Sequence, residues 1–159
     1  MTALTMRRGR SGVGAAILWG GLIAGAIDIS VAAIMTASRG GQPMKMLQGI
    51  AYALIGMSAI KGGVGTAALG LVLHFVIAFG AAAAYVLVSR RLSVMVREPV
   101  VCGLLYGVPV WLVTNFIIVP MSKIGHALPG TPQSAAIGLM VLMIGVGLPI
   151  AWMTRRFAK

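Results

Sequence analysis

The chain has 159 residues, of which 59% are hydrophobic and 9% charged, with a mean hydropathy of +0.99. A soluble domain carries roughly 25% charged residues, so this composition excludes an ordinary water-soluble domain and points to one membrane domain. The formal net charge of +11 would suggest nucleic acid in a soluble protein. Here the Lys and Arg residues flank apolar runs without any nucleic-acid-binding motif, so no nucleic-acid partner is expected. Orientation in the bilayer and attraction to anionic lipid headgroups account for them instead. The single cysteine, Cys102, leaves no internal disulfide and no Cys-rich metal site.

Residues 1–12 are basic and polar and read as a short disordered cytoplasmic arm. Arg7, Arg8 and Arg10 ahead of an apolar run resemble a secretory signal, but an apolar signal core is about 7–15 residues long. The run from Val13 to about Ala37 is longer and contains an aspartate, so it reads as a retained first span, with cleavage near Ala37 as the alternative. Ser38-Arg39-Gly40-Gly41-Gln42-Pro43 breaks it. Residues 44–60 have helical apolar spacing but carry Lys45, Gln48 and Ser58, and at about 17 residues lie at the lower limit for a crossing. Further spans are expected over about 64–88, 99–119 and 133–154, with Pro109 and Pro149 kinking the last two. Pro120 to Pro132 reads as a loop in which His126 is solvated, and residues 155–159 as a basic tail.

Charge then chooses the topology. If residues 44–60 do not cross, Arg7, Arg8, Arg10, Arg90, Arg91, Arg97, Arg155, Arg156 and Lys159 share one side. Arg39, Lys45, Lys61 and Lys123 share the other. Nine against four fits the positive-inside bias with both termini cytoplasmic, and a crossing by 44–60 would reverse it. The expected fold is all-α: a four-helix transmembrane bundle with a re-entrant or interfacial helix between spans 1 and 2.

Three spans carry one strongly polar residue each, Asp28, His74 and Asn115, at comparable depth. Asp28 shares a face with Gly21, Gly25 and Ala32, and His74 with Ala67, Gly70, Ala78 and Ala81. Small residues mark surfaces where membrane helices touch, so Asp28 and His74 are expected at helix contacts. On the third span the corresponding line is Gly107, Trp111, Asn115, Ile118 and Ser122. The expectation is an intramembrane cluster of Asp28, His74 and Asn115, with Gln48 as a fourth member.

The runs Gly25-Ala26-Ile27-Asp28-Ile29, Met46-Leu47-Gln48-Gly49-Ile50-Ala51, Gly62-Gly63, Leu73-His74-Phe75 and Gly103-Leu104-Leu105-Tyr106-Gly107 carry a resemblance. From Gly20 to Ser122 the chain is similar to a family of uncharacterised small multi-pass bacterial inner-membrane proteins. The shared pattern is Gly-x-x-Asp, Leu-Gln-x-Ile-Ala and Leu-His-Phe. The resemblance implies that Asp28, Gln48 and His74 belong to that pattern and implies no activity.

Three functional readings follow, taken in order of preference. In the first, the protein is an accessory or structural bundle held by its polar cluster. In the second, Asp28 and His74 serve a small proton- or cation-coupled transporter or channel, or anchor a small ligand. Four helices enclose little volume, so this second reading favours a homo-oligomer. A lipid-modifying enzyme ranks last, because no Gly-x-Ser-x-Gly turn and no His-Glu-x-x-His motif occurs. No cofactor or metal is expected. If Asp28 and His74 are neighbours, Asp28→Asn changes the pH titration of His74 measured by NMR. An unchanged titration would separate them.

Overall fold

The computed structural model describes residues 2–125 and 131–157, so the expectation for His126 lies outside the described residues. Within them the chain is all-α, with no strand. The helices are α1 Thr2–Ser38, α2 Pro43–Ile55, α3 Ser58–Lys61, α4 Gly63–Ser89, α5 Val94–Arg97, α6 Pro99–Val113, α7 Val119–Met121, α8 Pro132–Val141 and α9 Leu148–Phe157. A wide π turn, Thr114–Ile118, joins α6 to α7, and a second, Leu142–Gly147, joins α8 to α9. Four stretches are long and apolar enough to cross a membrane: Gly12–Ser38, Gly63–Ser89, Pro99–Met121 and Pro132–Phe157.

Three local expectations need correction. The basic arm is helical from Thr2, because nothing between Thr2 and Val13 breaks a helix beyond the single glycines Gly9 and Gly12. Residues 44–60 are not one helix. Gly56 adopts φ 69, its N–H bonds to the Tyr52 carbonyl at 2.9 Å, and the chain turns there before α3. The 13 residues of α2 cover only about 20 Å, too little for a bilayer. Finally, the third span continues past Pro120 to Met121.

Proline explains where the π turns fall. A proline in a helix lacks an N–H and crowds the carbonyl four residues earlier. For Pro120 that residue is Phe116, and for Pro149 it is Gly145, each inside a π turn. Widening the turn relieves the crowding. Pro109 sits inside regular α6 without such a turn.

Small residues set the packing. α1 lies against α4 and α9, α6 against α9 and the second π turn, and α2 against α4. A Cβ at Gly25 would lie 2.8 Å from the Phe75 ring and 3.1 Å from Ala78 Cβ. A Cβ at Gly107 would overlap the Met143 backbone, and one at Gly147 the Gly103 carbonyl. Ala24, Ala82, Tyr85, Val146, Ile150 and Ala151 form the buried core where spans 1, 2 and 4 meet. Large apolar side chains such as Ile34, Val72, Val76, Leu105, Ile144 and Trp152 point outward, as lipid contact requires.

The seam between α2 and α4 closes on Gly70, where any Cβ would overlap the Leu47 carbonyl. Gly70→Ala should therefore lower stability by about 1–3 kcal/mol through forced backbone shifts. Gly80→Ala has open space at its Cβ and should leave stability unchanged or slightly raised. Unfolding of both variants in the same detergent checks this. Equal stability of the two would contradict the packing.

Candidate functional site

Gly25 is where the site begins. Its missing side chain lets α4 approach α1 closely enough for the His74 ring to reach a backbone carbonyl. His74 Nε2 lies 2.9 Å from the Gly25 carbonyl oxygen. That oxygen can only accept, so Nε2 carries the hydrogen and donates it. The neutral imidazole is thereby held with Nδ1 unprotonated. Nδ1 faces the carboxylate of Asp28, one helical turn beyond Gly25, at 3.9 Å from Oδ2. The His74 ring packs edge-on against Phe75, with centroids 5.5 Å apart.

The pair is not sealed. The Asp28 and His74 side chains keep 24% and 13% of their exposure, and both border a cavity of about 680 Å³. That volume is within the usual range for small-molecule sites, about 300–1,000 Å³. The cavity opens where spans 2 and 3 diverge. Ile77, Ala78 and Ala81 of α4 line one wall, and Val110, Thr114 and Ile118 line the opposite one. α2 covers it with Gly49, Tyr52 and Ala53, and the second π turn adds Leu142 and Val146. The Lys123 N–H bonds to the Ala53 carbonyl at 3.0 Å, tying the end of span 3 to α2. Towards α5 the gap is closed by tyrosines. Tyr106 Oη donates to the Ala81 carbonyl at 2.8 Å, Tyr85 Oη to Met95 at 3.0 Å, and the two rings meet edge-on.

Thus Asp28 and His74 come together, whereas the other two expected members of the cluster do not join them. Asn115 Nδ2 donates to the carbonyl of Trp111 on its own helix, 2.9 Å away. Its neighbour Thr114 lines the cavity instead. The face was projected by steps of four residues, and a π turn with i→i+5 bonding breaks that register at Thr114. Gln48 is buried in the seam of α2 with α4. Its Nε2 donates to the Gly63 carbonyl at 3.0 Å and to Thr66 Oγ1 at 3.4 Å. Thr66 Oγ1 in turn donates to the Ala59 carbonyl at 2.6 Å, so Gln48 fastens α2, α3 and α4 together. The hydroxyls of Tyr52 and Thr114 were missed. Only the Thr114 position, adjacent to an already suspected polar residue, carried a signal. Among the described residues no group of three or more His, Cys, Asp or Glu is placed to hold a metal ion.

Fold and site together fit an integral membrane protein: four apolar helices around an apolar cavity with one carboxylate–imidazole pair in its wall. No protein-family model, curated protein or solved structure matches the chain.

The separate roles of Gln48 and Asp28 can be measured. Gln48→Ala should lower stability by roughly 1–3 kcal/mol, because the buried side chain and its hydrogen bonds to the Gly63 carbonyl and Thr66 Oγ1 are lost. It should leave the His74 imidazole NMR signals in place. A shift of those signals as large as Asp28→Asn produces would put Gln48 back in the site.

Proposed function

We propose that this protein is a membrane-embedded binding protein for a small, mostly apolar molecule whose polar end is held by Asp28 and His74. The observation that carries the reading is the 680 Å³ cavity, apolar over most of its wall, with both ionisable side chains at one edge. A carboxylate in a bilayer interior costs about 2.5–3.5 kcal/mol on insertion scales, a cost that water and a polar ligand group in a cavity offset. Binding is favoured over catalysis because the described lining offers the hydroxyls of Tyr52 and Thr114 but no serine or cysteine. A second reading, a structural bundle with the pair as interhelical glue, is favoured by one observation, the His74–Gly25 bond clamping α4 to α1.

In the membrane, we place both termini on the cytoplasmic side of a bacterial inner membrane, as the nine-against-four distribution of basic residues in the sequence favours. α2 and α3 then form a re-entrant pair on the opposite side.

Gly49 supplies the test. It lines the cavity, and a Cβ there meets no atom within 4 Å. Gly49→Trp therefore fills the space without a backbone clash and improves helix propensity in α2. The neutral fluorophore 1-naphthalenemethanol should bind the wild-type protein in lipid nanodiscs, after subtraction of empty nanodiscs. Gly49→Trp should weaken that binding by about tenfold or more, as expected when an apolar pocket of this kind is blocked. Equal binding by both proteins would contradict the reading.

A further inference from the structure

We propose that the cavity's ligand is an amphipathic organic ammonium ion, and that this ion and a proton on His74 Nδ1 exclude one another. This rests on the binding reading above and assigns the chemistry of its polar end. Because Nε2–H is committed to the Gly25 carbonyl, neutral His74 turns a bare lone pair on Nδ1 towards the Asp28 carboxylate. With Asp28 ionised, two acceptors therefore face each other at 3.9 Å. A nitrogen about 2.8 Å from both would see them at an angle near 90°. Two N–H bonds of one ammonium fit that angle with modest bending. A neutral alcohol offers a single hydrogen and can satisfy only one acceptor.

Charge points the same way. With His74 neutral, Asp28 leaves the cavity wall with a net charge of −1. Tyr52 on α2 is the only other titratable side chain lining it among the described residues, and no lysine or arginine lines it. No titratable lining group comes from α3, α6, either π turn or α9. Tyr106, on the cavity's flank, turns its hydroxyl to the Ala81 carbonyl. The positive end of the ligand thus meets one carboxylate and one imidazole lone pair, while its apolar body meets residues such as Ile77, Val110 and Ile118.

A proton on Nδ1 removes one acceptor and neutralises the carboxylate as an ion pair. When the ammonium leaves and a proton arrives, one positive charge replaces another. Ammonium binding should accordingly weaken as the pH is lowered, because the proton and the ammonium compete for one place.

The test uses 1-naphthylmethylammonium beside 1-naphthalenemethanol, titrated into the full chain in nanodiscs of zwitterionic lipid, with empty nanodiscs subtracted. The ammonium should bind roughly 10- to 100-fold more tightly than the alcohol near pH 8, the span expected of a charge-assisted hydrogen bond. Asp28→Asn should abolish that preference. A wild-type pH series needs no variant, and ammonium binding should weaken towards its acid end while alcohol binding does not. Equal affinity for the two compounds, a preference that survives Asp28→Asn, or a flat pH series would overturn the ammonium assignment and leave the cavity reading standing. If neither compound binds the wild type, the cavity reading fails and takes this one with it.

Discussion

The hydrogen bond from His74 Nε2 to the Gly25 carbonyl is the constraint on which the site depends. It joins spans 1 and 2 at a depth where the backbone carbonyls of a helix ordinarily serve only their own helix. It also selects the tautomer of the ring, and with it the chemical character of the face that looks at Asp28. A backbone acceptor is a dependable anchor because it cannot rotate away. The ring is consequently oriented by the helix axis of α1 and not by another flexible side chain.

Around that bond the bundle is assembled from two kinds of contact. Where spans 3 and 4 meet, at Gly103, Gly107 and Gly147, backbones come within reach of each other and leave no space. Where spans 2 and 3 face each other they touch at Tyr85 and Tyr106 and then part, and the cavity occupies the gap. Both π turns border it: Thr114 and Ile118 come from one, Leu142 and Val146 from the other. The prolines that widen those turns therefore shape the wall of the site from a few residues away. The polar seam of Gln48, Thr66 and Gly63 keeps α2 seated over the opening.

The spans were legible in the sequence because lipid demands long apolar runs, and few other constraints produce them. The meeting of Asp28 with His74 was legible for a related reason. Gly21, Gly25, Gly70 and Ala78 mark the contact faces by regular helical spacing, and the spans holding them are regular there. Asn115 was misplaced because that regularity fails at a π turn, whose extra residue rotates every later side chain. Gln48 was misplaced because Gly56 divides the 44–60 segment and folds α3 back, which brings the Gly63 carbonyl to the glutamine. A cavity between two diverging helices leaves no pattern in a sequence, since its wall is written in the same Ile, Val and Ala as the core.

The most direct test is nitrogen NMR of 15N-labelled His74 in lipid bilayers, at a pH where the ring is neutral. The shifts of the two ring nitrogens distinguish which one carries the hydrogen. The account predicts a protonated Nε2 and a bare Nδ1 whose signal moves when Asp28 is replaced by Asn. A neutral ring protonated at Nδ1, or one populating both tautomers, would contradict it.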